Sequence, residues 1–222
     1  MKLSAVLLAR VVFFVESADL NPYGQAYYPD IVAALVKRYG FLGYPQKLED
    51  FDEQKGVTLS GGKFNDKTIL KVVIYNWGLS LETNSSTKDA EALLLDALSW
   101  ATANLRLNFA PEMVRRRAYI SHLTFYSDAP LLSLNPVLEA VGEGISKEVL
   151  RNLKLDYRFQ PRGVSLSIDP ETQRIPVQQF TLERRDGAPY SEGKYFSAAP
   201  VQTDVHVSLL EEFERSARAR RS

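Results

Sequence analysis

The chain contains no cysteine. That absence excludes a disulfide frame, zinc–thiolate and iron–sulfur ligation, and a thiol nucleophile. It suits a reducing compartment, so a cytoplasmic location is the expectation. Histidine is scarce as well. The only two, His122 and His206, make neither an HxxxH nor an HxH pair, so each reads as a lone structural or surface residue rather than a metal ligand. An excess of one charge is also missing, because 27 Lys and Arg balance 27 Asp and Glu. A neutral chain has no global pull toward nucleic acid or anionic lipid, and any such binding has to be local. No apolar run approaches the ~18 residues of a membrane helix, and no membrane partner is expected. The apolar start from Met1 to Val15 is interrupted by Arg10 and offers a poor cleavage position at Ser17. It reads as a strand and not as a signal peptide.

Motifs for chemistry are lacking too. There is no GxSxG elbow, no GxxxxGK[ST] and no GxGxxG. Ser60, Gly61 and Gly62 resemble half an elbow, but Leu59 stands where the first glycine belongs, and the glycines read as a turn or bulge. The acidic cluster Glu49, Asp50, Asp52 and Glu53 lacks the spacing of a calcium loop and reads as a solvated loop. No catalytic residue, no metal and no cofactor is therefore expected.

What is present is a strong apolar pattern. At 222 residues, with 45% hydrophobic and 24% charged residues, the chain can bury a core without staples. The best-determined stretch runs from Thr68 to Leu105. Residues 68–75 are β-branched and apolar, Asn76 to Gly78 form a turn in which Gly78 supplies a positive φ, and residues 79–83 alternate as a half-buried strand does. Ser86 offers a cap, with Asp89 three positions on, and Ala90, Leu93, Leu94, Ala97, Leu98, Ala101 and Leu105 follow at helical spacing.

The rest follows similar rules. One strand face gathers Leu3, Ala5, Leu7, Ala9, Val11, Phe13 and Val15. A helix opens at Pro29, carries Ile31, Ala34, Leu35 and Tyr39, and stops at Gly40. A short strand is expected at 57–60 and a long one at 114–126. Asn135 caps a helix whose course Gly142 and Gly144 are expected to break. Strands are expected at 157–168, 177–184 and 194–198, and a last helix starts near Asp204 with Val205, Leu209, Leu210 and Phe213 on its apolar side.

The sum is an α+β fold: a mostly antiparallel sheet with amphipathic helices packed on one face, a C-terminal β-meander and a terminal helix. The chain reads as a single domain over 1–222, with a division into subdomains 1–127 and 136–222 as the alternative.

Three stretches are candidate binding sites. Tyr23, Tyr27, Tyr28 and Tyr44 lie in an aromatic span that also holds Tyr39 and Phe41, and exposed tyrosine suits a protein-binding surface. Ser85, Ser86, Thr87 and Lys88 gather hydroxyls and an ammonium at a helix start, as an anion site would. Arg115 and Arg117, with Arg218, Arg220 and Arg221 at the C-terminus, are the candidates for nucleic acid.

The leading functional expectation is a non-enzymatic interaction subunit or adaptor of a bacterial cytoplasmic multi-protein assembly. Its partners are proteins, and its oligomeric state is left open. A nucleic-acid-binding module built on the arginines is the first alternative. An enzyme with a scattered acid/base site from Glu16, Asp19, His122 and nearby tyrosines is the second.

Overall fold

The computed structural model describes residues 1–22 and 24–219. In chain order the elements are β1 (Lys2–Phe14), α1 (Ser17–Leu20), α2 (Tyr28–Tyr39), β2 (Val57–Phe64), β3 (Lys67–Tyr75), β4 (Gly78–Thr83), α3 (Thr87–Leu105), β5 (Arg116–Tyr126), α4 (Pro136–Leu153), β6 (Gly163–Leu166), β7 (Phe180–Arg184), β8 (Lys194–Ala199) and α5 (Thr203–Ala219). The strands make an eight-stranded antiparallel sheet in the order β2-β3-β4-β1-β5-β8-β7-β6, with helices packed on it. That is the α+β class expected from the apolar pattern. No helix among the described residues is long and apolar enough to cross a membrane.

The chain divides into two compact units. An N-terminal unit takes Val6–His122 and Pro200–Asp204. A C-terminal unit takes Met1–Ala5, Leu123–Ala199 and the chain from Val205 onward.

In the N-terminal unit, short loops leave the strands no choice but antiparallel pairing. Two residues join β2 to β3 and two join β3 to β4. β4 pairs with β1 so that Leu81 faces Val11 and Leu79 faces Phe13. Ala9, Val11, Phe13 and Val15 are buried as expected, whereas Leu3 and Leu7, expected on the same face, are exposed. Gly78 differs from expectation. Its φ is not positive. It is needed because a Cβ there would lie 2.5 Å from the Phe13 carbonyl oxygen. Gly61 and Gly62 also differ. They do not end β2, whose register against β3 runs on through them to Phe64. Gly61 takes φ +69°, and Gly62 leaves room for the Phe41 ring. The bulge lies instead between β3 and β4, at Ile69 and Lys71.

Both long helices of this unit follow their sequence signals. Gly40 closes α2 in the left-handed region, its N–H donating to Val36 O at 2.8 Å. Ser86 caps α3 by accepting from Asp89 N–H at 3.0 Å, and its hydroxyl donates to the Asp89 carboxylate at 2.9 Å. Ala90, Leu93, Leu94, Leu98 and Ala101 are buried.

In the C-terminal unit, β7 pairs with β8 and with β6. β6 is far shorter than the expected 157–168. The surrounding segment has no regular secondary structure and is almost wholly exposed. α4 runs unbroken from Pro136 to Leu153 through both glycines. α5 is rotated relative to the expected face. Val205 and Leu209 are exposed, while His206, Leu210, Glu214 and Ala217 are buried. Two polar residues take inward positions because each finds hydrogen-bond partners there.

Candidate functional site

The tyrosine-rich span is split by the fold. Tyr39 and Phe41 are core residues. Tyr27 and Tyr44 are exposed. Tyr28 is half-buried edge-on to Phe51, at 6.0 Å between ring centres. Tyr23 lies outside the described residues. These rings therefore do not share one environment.

At the start of α3 the donors are already used within the chain. Thr87 N–H donates to Thr203 Oγ1 at 3.0 Å, and Thr203 N–H returns a bond to Thr87 Oγ1 at 2.9 Å. Ser85 Oγ lies 3.1 Å from Thr83 Oγ1. The Lys88 ammonium lies 2.8 Å from Asp204. Asp89 occupies the place an external anion would take, with Lys67 at 3.6 Å. Burial alone would raise its carboxyl, but hydrogen bonds from Ser85 and Ser86 and the Lys67 charge hold its pKa below the usual value.

The arginines are also matched with acids. Arg115 reaches Asp19 at 3.3 Å, and Arg117 reaches Glu91 at 3.2 Å while its guanidinium covers the Phe13 ring. Arg218 pairs with Asp128 and Glu214. Arg220 and Arg221 lie outside the described residues. His122 has Arg10 and Glu82 as its charged neighbours, and these two pair with each other at 2.6 Å. Glu16 stands at the N-cap position of α1 without a side-chain capping bond, and Asp19 turns to Arg115. Among the described residues, no three His, Asp or Glu side chains gather as a metal site.

The largest departure from ordinary burial lies on α4. Of its eighteen residues only Gly142 is fully buried. Val137 is 72% exposed, Val141 52% and Ile145 43%. Spaced four apart, they form one stripe pointing outward. The following segment adds exposed Leu155, Tyr157 and Phe159. It is fastened to the helix where Phe159 N–H donates to Ser146 Oγ at 2.9 Å and where Gly142 leaves room for the Phe159 carbonyl. Farther on, β6 lies at the edge of the sheet with β7 as its neighbour, and Leu166 on it is 69% exposed. Monomeric proteins seldom leave contiguous apolar surface of this kind in water. A bare strand edge offers a row of backbone donors and acceptors to another chain.

No protein-family model and no curated protein matches this chain.

The cap at Asn135 marks where α4 begins, but nothing in the apolar pattern shows that Val137 and Val141 face outward or that the helix runs on through its glycines. The usable signal was the glycine pair. A helix that presents Gly142 to its own unit needs little side-chain area on that side, and this releases its larger residues to the other.

Proposed function

We propose that the protein acts by association, as an interaction subunit, and that α4 and β6 of the C-terminal unit receive a second copy of the same chain. The observation that carries this reading is the outward stripe of Val137, Val141 and Ile145. Each such side chain gains about 1.5–3 kcal/mol when it leaves water, which an isolated chain forgoes. Two features favour a like partner over an unlike one. From Val137 to Gln179 the acids Glu139, Glu143, Glu148, Asp156, Asp169 and Glu171 are equalled by the bases Lys147, Arg151, Lys154, Arg158, Arg162 and Arg174. A charge-balanced face does not repel its own copy. An antiparallel strand edge is also self-complementary about a two-fold axis, the usual symmetry of a dimer. The cytoplasmic setting belongs to this proposal, supported by the absence of cysteine.

Amide hydrogen exchange at rising protein concentration tests the assignment of the face. Protection of Gly163 to Leu166 and of α4 is expected to grow with concentration. Ile145→Glu is expected to remove that growth. Leu48→Glu, at an exposed position in the N-terminal unit, is expected to leave it unchanged. Protection that does not depend on concentration would remove the second copy as occupant. Protection appearing only with an added extended peptide would assign β6 to an unlike partner.

A further inference from the structure

The N-terminal unit contains a partly open cavity of about 280 Å³ lined by α1, α2, α3 and the sheet. Its walls are aliphatic, with Ile31, Leu35, Ile69, Val72, Leu94 and Leu98 among them. Polar groups also line it. Ser17 Oγ donates to Glu53 Oε2 at 2.9 Å. The Tyr28 hydroxyl is buried and has no hydrogen-bond partner. Burial first, and then the nearby Glu53 charge, push the Tyr28 phenol well up, so it keeps its proton.

Two costs therefore coincide. A void with apolar walls forfeits dispersion contacts in proportion to its volume. A buried hydroxyl without a partner forfeits its hydrogen bond, which folded proteins rarely tolerate. Water would satisfy the hydroxyl but not the aliphatic walls. One molecule with an apolar body and a polar head relieves both.

We propose that this cavity is a binding site for a small amphiphile whose head donates a hydrogen bond, an alcohol or an ammonium. Size and charge select this class. A cavity of ~150 Å³ holds benzene, and this one is nearly twice as large, enough for a medium-length chain. At the head, Glu53 accepts only, while Tyr28 both donates and accepts. A carboxylate head would meet the Glu53 charge and be rejected. The site stands apart from the association face and does not depend on it.

Titration calorimetry and thermal unfolding of the full chain with 1-octanol, octylammonium and octanoate test the site. The alcohol and the ammonium are expected to bind saturably at one site and raise Tm, and octanoate to bind at least about tenfold more weakly. Tyr28→Phe is expected to weaken the alcohol about tenfold. Glu53→Gln is expected to bring octanoate close to the alcohol. Ala101→Leu fills the void and is expected to abolish binding of every probe, and Ala97→Leu serves the same purpose should the first variant not fold. Absence of saturable binding by the alcohol and the ammonium would overturn the proposal. So would octanoate binding as tightly as the alcohol, or binding that survives the filled cavity.

Discussion

Thr87 and Thr203, 116 positions apart, exchange hydrogen bonds, each backbone N–H donating to the other's hydroxyl oxygen at 3.0 and 2.9 Å. Both residues are buried. The start of α3 and the start of α5 thus satisfy each other's free N–H groups. Thr87→Val and Thr203→Val each strand one buried donor and are expected to cost ~1–3 kcal/mol. Because the two bonds form a closed pair, the double variant is expected to lose less than the sum of the singles. Urea denaturation of the four chains measures that coupling.

Asp89 gives the fold an acid-sensitive term. Its folded pKa is depressed below the ordinary 3.8. A depressed carboxylate stabilises the fold at pH values above its unfolded pKa, and the contribution disappears as pH falls through the folded one. Asp89→Asn is expected to lower stability by ~0.5–1 kcal/mol at neutral pH. The gap to wild type is expected to close as pH drops below about 4. Denaturation midpoints along a pH series check both statements.

His206 and Ser197 fix a tautomer. Ser197 Oγ donates its single proton to Thr181 O at 2.7 Å. His206 Nε2, at 2.8 Å from the same oxygen, must then be the donor to it. Long-range proton–nitrogen NMR spectra are expected to show His206 protonated at Nε2. His206→Phe removes this buried donor and is expected to cost ~1–3 kcal/mol, read by thermal unfolding.

Gly78 is a point where the backbone, and not flexibility, dictates glycine. A Cβ would press on the Phe13 carbonyl, which is itself part of the sheet. Gly78→Ala is expected to destabilise by ~1–3 kcal/mol, whereas Gly187→Ala, in open space but at φ +76°, is strained only by its own backbone. Comparing the two midpoints separates crowding from conformation.

The fold was legible where one local rule decides. Gly40 needs a left-handed φ, and Ser86 needs an N–H to accept from. It was not legible where distant groups decide. The wet face expected of residues 79–83 is not there, because β4 lies between β3 and β1 and Ser80, Glu82 and Thr83 are buried with its leucines. α5 buries His206 and Glu214 in preference to Val205 and Leu209, because Ser197 and Ser127 supply hydrogen bonds that no periodicity shows. Gly142 and Gly144 looked like helix breakers, yet Gly142 is the point where Phe159 approaches α4. The candidate sites were less legible still. Arg115, Arg117 and Lys88 read as free charges until Asp19, Glu91 and Asp204 were seen beside them. Glu53, placed by its neighbours in a solvated acidic loop, lines the cavity in the N-terminal unit.

The mass of the full chain in solution, by light scattering across micromolar concentrations, tests the association face most directly. Twice the 25.0 kDa chain mass is expected for wild type, falling to a single chain mass in Val141→Glu and Ile145→Glu. A wild-type chain that holds the single mass throughout, or variants that keep the doubled mass, would contradict it.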